Sequence, residues 1–332
     1  SVIPWFGGTF DGSCHTISHL TIRGGSYLGM FRQLSEGADV SNLGLEAVDI
    51  NGTGRSIGGL VGLNDNGNIA ASHSAGTVTG YEFVGGLVGW NMYGSIIDSY
   101  STSSVTGWYV DVGGLVGRVF EGSITSSYST GIVSGDSVVG GLVGYNVYGS
   151  ITNSYSTSTV AGRNRSIGGL VGWVSEGSIT SSYSTGIVSG DRGVGGLVGS
   201  NDGSIATSYC ASVVTGSSGV GGMVGIHVGN MINCYSTGAV SGTSRVGGLV
   251  GRNLEDKGSI TSSFWDIQTS GQPTSAGGTG KTTVEMQTAS TFLEAGWDFV
   301  GETANGTEDI WWIDEGKDYP RLSWELILIH RD

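Results

Sequence analysis

The chain has 332 residues, and its 28 acidic residues against 14 lysines and arginines give a formal net charge of −14. Nucleic acid and anionic membranes bind clusters of lysine and arginine, so this balance argues against both as partners. The sequence has no run of about 18 apolar residues, the length that a membrane-spanning helix needs. Glycine contributes 63 residues but proline only three, which excludes a collagen-like chain.

The amino-terminal segment 1–24 is an atypical first unit, in which a strand-like pattern starts directly at Ser1. It lacks the charged stretch followed by an apolar one that marks a signal peptide. Weakly charged repeat chains rich in glycine, serine and threonine usually work outside cells. We therefore expect a processed or truncated export product that is secreted or held at a cell surface.

A six-residue motif, Val-Gly-Gly-Leu-Val-Gly, follows and recurs eight times as a perfect or near copy. The glycine pairs of these copies begin at Gly58, Gly85, Gly113, Gly140, Gly168, Gly195, Gly221 and Gly247. A fixed period of 26 to 28 residues is the signature of a solenoid, in which each repeat stacks on the last. A longer period of 55 residues is superimposed on it, which indicates duplication of coil pairs.

Between glycine pairs, each repeat carries short β-branched and aromatic segments separated by turn residues. Ile96, Tyr100 and Val105 show the pattern in one repeat, and like residues recur in the others. Such segments predict strands, three in each period. Stacking the coils about 4.8 Å apart would place like residues on one another, tyrosines included, and would fill a continuous core.

We therefore predict an all-β fold, a right-handed parallel β-helix of about nine or ten three-strand coils over residues 1–263. The handedness follows from the strong preference of parallel crossovers. Val84 and Leu87 are three residues apart around a glycine pair, so we expect a bulge that turns both toward the core. A second glycine column, which includes Gly80 and Gly107, is expected to occupy turns with positive φ.

The period stops at Phe264, and residues 264–332 form a tryptophan-rich, acidic segment. Capping-box patterns start at Thr282 and Thr291, which predicts two short helices. A solenoid needs an atypical end to cover its last coil, so we predict a small mixed C-terminal cap here.

The glycine-pair repeat resembles the GLUG motif repeats of bacterial surface and secreted proteins, among them adhesin-like chains and some immunoglobulin A peptidases. Residues 10–22 resemble the usual first coil of such chains, with Ser13 and Cys14 where Asn-Gly is common. Residues 264–266 and 319–322 resemble their common ending. The resemblance implies a β-helix outside the cell. It implies no catalytic residue, because the family shares none.

Two pairs of acidic residues occupy equivalent positions two coils apart, Glu121 with Glu176 and Asp136 with Asp191. Strand spacing sets each pair about 9.6 Å apart, near the separation used for inverting glycoside hydrolysis. Duplication alone produces such pairs, however. The simpler interpretation is that they are solvated acids of turns, so these four residues are candidates and no catalytic residue is assigned.

Aromatic residues in turns and just after the motif are the stronger candidates for ligand binding. They are Trp90, Tyr93, Trp108, Tyr109, Tyr145, Tyr148 and Trp173. Exposed rings along a rod could lie against sugar rings. We expect the sugar hydroxyls to bind to the neighbouring polar residues Asn91, Asn146, Asp111 and Glu121. The alternative is that the rings cover the outside of the solenoid or pack on a neighbour.

No metal ion or cofactor is expected. The sequence has five histidines, at His15, His19, His73, His227 and His330. They are too scattered for a zinc site, and His73 replaces a tyrosine of the stacked column. Residues 279–282 imitate the end of a phosphate loop, but Ser275 stands where its first glycine is required.

The three cysteines are expected to be free thiols. Cys210 and Cys234 fall on neighbouring coils, two positions out of register, which sets them about 8 Å apart and beyond disulfide reach. Cys14 has no evident partner.

Hydroxyl residues alternate beside the tyrosine column, as in Thr125, Ser127 and Ser129. Alternation along a strand would place all three on one face, and we expect that face to point outward. Flat arrays of this kind occur in ice-binding solenoids, and solubility explains them more simply.

These observations leave three functional hypotheses. The first is a non-enzymatic extracellular or cell-surface protein that mediates adhesion by binding a polysaccharide, a surface glycan or a partner protein. The alternative is a polysaccharide-degrading lyase or glycoside hydrolase on the same β-helix. The third is a structural fibre that assembles through the open strand edges of the N-terminal coil. A binder should show distributed aromatic residues and an enzyme one coil of clustered acids and bases, so the sequence favours the first.

Overall fold

The structure, a computed structural model, describes residues 1–254 and 258–326. The chain winds into nine coils of parallel strands that build three long sheets. The parallel β-solenoid predicted from the repeat is therefore confirmed. His330 and the end of the predicted cap lie outside the described residues.

The first sheet contains the strands that lead into the glycine pairs. They lie parallel and in register, so that Val84 pairs with Val112 and Gly85 with Gly113. The eight strands are Arg55–Gly58, Glu82–Gly85, Val110–Gly113, Ser137–Gly140, Arg165–Gly168, Arg192–Gly195, Ser218–Gly221 and Ser244–Gly247.

The second sheet contains the strands that leave the glycine pairs. Its register places Trp90 beside Arg118 and then Tyr145 and Trp173 on the next two coils. The nine strands are Phe31–Leu34, Val61–Asp65, Val88–Met92, Val116–Phe120, Val143–Val147, Val171–Ser175, Val198–Asn201, Val224–His227 and Val250–Asn253.

The third sheet closes each coil and has 26 strands, because most coils cross it in three short segments. Residues with positive φ, such as Asp98 at 48° and Ser126 at 50°, separate the first segment from the second. The strands are Thr9–Ser18, Thr21–Gly24, Asp39–Gly52, Asn68–Ala70, His73–Gly80, Ser95–Ile97, Tyr100–Ser101, Ser104–Gly107, Ser123–Thr125, Tyr128–Ser129, Ile132–Gly135, Ser150–Thr152, Tyr155–Ser156, Thr159–Gly162, Ser178–Thr180, Tyr183–Ser184, Ile187–Ser189, Ser204–Ala206, Tyr209–Cys210, Val213–Thr215, Asn230–Ile232, Tyr235–Ser236, Val240–Ser241, Ile260–Thr261, Phe264–Asp266 and Thr279–Lys281. The three sheets correspond to the three strands predicted for each coil, but the strand in the third sheet is divided into short segments.

Aliphatic side chains from all three sheets fill the interior. In one coil Val84, Leu87, Val88, Ile96 and Val105 are all fully buried, and the equivalent residues stack above and below them in register. Burying each such side chain stabilises the fold by about 1.5–3 kcal/mol. The predicted continuous core is therefore present, but it is aliphatic.

A corner, and not a bulge, turns Val84 and Leu87 inward. The first-sheet strand ends at Gly85 and the second-sheet strand starts at Val88, with a bend between them. A Cβ on Gly85 would lie 2.7 Å from the backbone nitrogen of Gly117, and one on Gly86 would overlap Ser101. The predicted bulge was wrong, and the glycine pair is required because two sheets meet there.

The second glycine column also has a role other than the predicted one. Gly80 and Gly107 do not adopt positive φ. A Cβ on Gly80 would lie 2.7 Å from Cγ1 of Ile57, so the position needs a small residue beside the core. Positive φ occurs at other positions of the coils and often on non-glycine residues, for example Phe83 at 53°.

The serines predicted to face solvent are buried. Ser127 and Ser129 are fully inaccessible. The Ser127 hydroxyl donates to the carbonyl of Thr125 (2.8 Å) and accepts from the amide of Ser99 on the preceding coil (3.1 Å). Serine fits because it is short enough for the interior and because its hydroxyl satisfies backbone groups where the strand breaks.

The tyrosine column lies on the outer face of the third sheet, and not in the core as predicted. We call it the tyrosine ladder: His73, Tyr100, Tyr128, Tyr155, Tyr183, Tyr209 and Tyr235. Its rings are stacked, with centroids 4.6–5.2 Å apart. Exposure falls along the ladder, from partial at Tyr100 to 1% at Tyr235, because the C-terminal segment covers its far half.

The C-terminal segment folds back along the solenoid. It contains the helices Ile267–Ser270, Thr283–Met286 and Ala289–Leu293 and an antiparallel pair, Trp311–Trp312 with Arg321–Leu322. The Trp324 ring stacks on Tyr183 with centroids 5.7 Å apart and donates to the carbonyl of Ser181 (3.0 Å). Glu325 accepts a hydrogen bond from the Tyr209 hydroxyl (2.9 Å). The cap therefore covers the side of the rod as well as its end.

The end of the solenoid is closed by Trp265, which joins the aliphatic core. The third sheet continues beyond residue 263, since Phe264–Asp266 pairs with Thr279–Lys281. Thr282 forms the predicted capping box with Glu285. The box predicted at Thr291 was wrong, because that helix begins two residues earlier.

Cys14, Cys210 and Cys234 are free, as predicted. Among the described residues, no helix is long and apolar enough to cross a membrane.

Candidate functional site

The aromatic residues predicted to bind a ligand do not form one site. Three places hold them: the outer face of the second sheet (Trp90, Tyr145, Trp173), the corner between the second and third sheets (Tyr93, Tyr148), and the corner between the third and first sheets (Trp108, Tyr109). Each place has its own polar neighbours and its own exposure.

On the outer face of the second sheet the rings pack mainly on one another. Tyr145 and Trp173 are stacked with centroids 5.0 Å apart. The guanidinium of Arg118 lies between the rings of Phe83 and Tyr145, 5.1 Å from each centroid. This face is half-buried by its own side chains, which matches the alternative of rings that cover the solenoid.

The polar residues expected to bind sugar hydroxyls are mostly inside. Asn91 and Asn146 are fully buried, and the Oδ1 of Asn91 accepts from the Nδ2 of Asn64 at 2.7 Å. Asp111 is 3% exposed and lies 3.6 Å from Arg118. Because they are buried, these three residues cannot bind sugar hydroxyls as expected. Of the four predicted polar residues, only Glu121 is accessible to a ligand.

Asp111 has an unusual electrostatic environment. Burial raises the pKa of its carboxyl, Arg118 opposes the rise and Glu82 adds to it, and the net pKa is about 7. The folded protein therefore holds a proton on Asp111 at a pH where the unfolded chain, with a pKa of about 3.9, has lost it.

We expect Asp111→Asn to change how stability depends on pH. Because the folded-state pKa is raised, the contribution of Asp111 is fully present below about pH 4 and is lost as the pH rises to about 7. The variant should therefore gain on the order of 4 kcal/mol over wild type between those values. Urea unfolding across this range measures the difference, and parallel pH profiles for the two proteins would contradict the assignment.

The corner between the second and third sheets forms a continuous depression that we call the lateral groove. Its walls carry Tyr93, Glu121, Tyr148 and Glu176, one from each of four successive coils. Its floor is made of glycines and outward serines: Gly122, Ser123, Gly149, Ser150, Gly177, Ser178 and Ser204. This part encloses about 340 Å³.

The two tyrosines of the lateral groove have nearly the same surroundings. Tyr93 is 48% exposed and Tyr148 is 51% exposed. Phe120 lies between them and meets both rings edge-on, with centroids 5.6 and 6.2 Å away. The Tyr148 hydroxyl donates to Glu176 (3.1 Å). The rings are therefore held in place while much of their surface stays open to solvent.

The lateral groove widens toward the C-terminal end of the rod. A hollow of about 1020 Å³ shares Glu176, Gly177 and Ser204 with the first part and adds Asp202, Asn230, Asn253 and Leu254. Asp202 accepts a hydrogen bond from Nε1 of Trp173 (3.1 Å). One groove thus follows seven coils with polar groups on every coil.

The opposite corner holds the remaining predicted residues. Trp108 is 54% exposed, and Tyr109 stacks on Tyr81 with centroids 5.4 Å apart. A hollow of about 400 Å³ lies beside Trp108 and also contacts Asp136 and Arg163.

The two predicted carboxylate pairs are thus treated differently by the fold. Glu121 and Glu176 line one groove, on either side of Tyr148. Asp136 and Asp191 each engage a local partner, since Asp136 accepts from the Ser137 hydroxyl (3.0 Å) and Asp191 lies 3.5 Å from Arg192. Only the glutamates face a common depression.

Sequence reasoning missed Asp202 and the serine floor of the lateral groove, and also Phe120, which packs between the two tyrosines. Phe120 directly precedes the predicted Glu121, and Asp202 directly follows the equivalent strand one coil after Glu176, so the repeat alignment contained the signal. The serines recur in register as Ser95, Ser123, Ser150, Ser178 and Ser204.

In the part of the chain that the structure describes, no group of three or more histidine, cysteine or acidic residues is placed to hold a metal ion. His73 stacks on Tyr100 and lies 3.2 Å from Glu46. His227 is buried and pairs with Asn201 at 3.2 Å. Both are therefore parts of the stacked framework.

We compared the chain with known protein families, curated proteins and solved structures. A search of curated proteins found no match. A crystal structure titled as a "putative immunoglobulin A1 protease" from Bacteroides ovatus is 19% identical, with a TM-score of 0.42 over 95% of this chain and 77% of the other. The GLUG motif matches residues 80–106, 109–134, 135–161 and 163–189, so this part of the chain is a series of GLUG-motif repeats.

Proposed function

We propose that this chain is a non-enzymatic, secreted or cell-surface protein that binds a polysaccharide along the lateral groove. The observation that carries the proposal is the wall of exposed tyrosines and glutamates that alternate over four coils above a serine floor. Tyrosine offers a flat apolar face with little conformational entropy to lose, and sugar rings present flat C–H faces.

The polar groups of the groove suit the rest of a sugar. Carboxylates accept hydrogen bonds from hydroxyls, and serine hydroxyls both donate and accept. Glu121, Glu176 and the serines Ser123, Ser150 and Ser178 present these groups at coil spacing. A long open groove also suits a polymer better than a small molecule, which is bound in an enclosed pocket.

Repetition favours binding over catalysis. A glycoside hydrolase needs one acid and one base or nucleophile in different environments. Glu121 and Glu176 are instead copies of one position, and both follow strand ends of the second sheet. The same lining on successive coils multiplies contacts to a chain-like ligand, which raises its overall affinity.

We expect the double variant Tyr93→Ala/Tyr148→Ala to lose at least about tenfold in affinity for its polysaccharide, since two stacking contacts disappear. Affinity electrophoresis against soluble neutral and acidic polysaccharides, with an assay for new reducing ends, makes the measurement.

The matched control is Tyr81→Ala/Tyr109→Ala, a stacked pair of similar exposure at the opposite corner. Equal loss in both double variants would contradict the groove as the site. New reducing ends or unsaturated products would replace binding with the enzyme hypothesis. No retardation in any gel would favour self-assembly instead.

A further inference from the structure

We infer that the lateral groove selects an extended, uncharged polysaccharide whose like faces recur every second sugar, as in a β-1,4-linked glucan or mannan. This inference rests on the proposed function. It follows from the period of the groove, from the equivalence of its two tyrosines and from the sign of its charge.

The lining of the groove repeats every two coils. Tyr93 and Tyr148 are equivalent residues of the 55-residue repeat, and so are Glu121 and Glu176. In-register parallel pairing of the intervening strands makes the order along the rod Tyr93, Glu121, Tyr148, Glu176. Two coils span about 9.6 Å.

The two tyrosines present the same surface to a ligand. Their exposures differ by only three percentage points, 48% against 51%, and the Phe120 ring meets each of them edge-on. A ligand that stacks on one ring will gain the second contact only if it offers the same face one two-coil interval further on.

Extended β-1,4-linked hexose chains meet this condition. Each sugar is rotated by about half a turn relative to the last, so like faces recur at every second sugar, over a length close to two coils. An α-1,4-linked chain coils instead, and its like faces diverge from a straight row of rings. The straight rod therefore favours the β-linked polymer.

Charge narrows the ligand further. Both parts of the groove contain carboxylates, from Glu121, Glu176 and Asp202, and none of their described lining residues is basic. Like charges placed close together across an interface oppose binding. A chain of uronates or sulfated sugars is therefore disfavoured relative to the uncharged chain of the same linkage.

The linkage test is isothermal titration of the whole chain with cello-oligosaccharides of two to six sugars and with malto-oligosaccharides. The trisaccharide is the shortest chain that reaches both tyrosines, so we expect it to bind roughly three- to tenfold more tightly than the disaccharide. Tyr93→Ala should abolish this step, and Tyr109→Ala should keep it. Equal affinity for the α-linked series, or a step that survives in Tyr93→Ala, would overturn the inference.

The charge test compares β-1,4-manno-oligosaccharides with β-1,4-oligomannuronates, which differ by the carboxylate on each sugar. Wild type should bind the uncharged series at least about tenfold more tightly. Glu121→Gln/Glu176→Gln should narrow this ratio, and the two-coil control Asp136→Asn/Asp191→Asn should not. A ratio near one in wild type would overturn the inference.

These outcomes separate the inference from the proposed function. If glycans of every linkage and charge bind and depend on Tyr148, the groove is a glycan site without the selectivity inferred here. If no glycan binds to the wild-type chain in either titration, the proposed function and the inference both fail.

Discussion

Replacing Gly141 with alanine is expected to lower the free energy of unfolding by about 3 kcal/mol or more, because the corner of the coil has no room for a methyl group. A Cβ at this position would overlap the carbonyl oxygen of Gly169 on the next coil and the hydroxyl of Ser156 across the interior. The first of these atoms belongs to a backbone that pairs on both sides, so it cannot move alone. Chemical unfolding of the whole chain measures the loss.

The control for this prediction is Gly25→Ala. An added Cβ at Gly25 would have no atom within 4 Å, so its effect should stay within about 0.5 kcal/mol. The pair separates steric demand from the general effect of removing a glycine from the unfolded chain, which acts in both variants. A small effect of Gly141→Ala would mean that the corner relaxes and that the glycine pair is not a packing requirement.

The same corner explains why the solenoid could be predicted from the sequence. The backbone of the next coil and a side chain of the third sheet both lie close to the glycine pair. Because this close approach is repeated on every coil, the glycine pair is repeated as well. Period, strand identity and parallel pairing all follow from this one constraint. The aliphatic columns follow as well, since Leu87 and Ile96 are repeated at every coil and are buried.

The repeat period does not show whether a column of equivalent side chains faces the core or the outer surface of its sheet. Ile96 and Tyr100 are four residues apart and would share a face in an unbroken strand. Asp98, with φ of 48°, breaks the strand between them, so Ile96 lies in the core and Tyr100 lies on the outer face. Non-glycine residues with positive φ carry a weak sequence signal, and for this reason the tyrosines and serines exchanged places relative to the prediction.

The candidate site was predictable in part for the same reason. Tyr93, Tyr148, Glu121 and Glu176 were each identified from their positions after the strands. These four side chains line one groove because of the geometry of the turns, and the residue types in the turns do not reveal that geometry. Asn91 and Trp90 illustrate the converse, since adjacent residues of one strand proved to be a buried amide and a half-covered ring.

The tyrosine ladder connects the solenoid to the cap, because the same stacked rings are open at one end of the rod and buried at the other. Tyr155 and Tyr183 touch the ring of Trp324, and Tyr235 contacts Trp297 and Trp311. A solenoid is stable through contacts between neighbouring coils. The cap has no such repeat and depends on the ladder for its core.

Trp297→Ala is accordingly expected to detach the cap while the coils stay folded. Trp297 is fully buried, its ring centroid lies 4.6 Å from that of Trp311 and 4.7 Å from that of Phe292, and its Nε1 donates to the carbonyl of Ser262 (3.0 Å). Truncating such a side chain costs about 3–5 kcal/mol of stability. This is a large share of the free energy of unfolding that so small a unit as the cap can have.

Hydrogen exchange measures the result of Trp297→Ala directly. Amides of residues 283–325 should lose protection, while amides of the second sheet, such as those of Val143–Val147, should keep theirs, because local units open independently. Trp5→Ala is the control, since Trp5 is 66% exposed and its loss should change neither set. Simultaneous loss of protection in the cap and in the coils would show instead that the tyrosine ladder makes the two one cooperative unit.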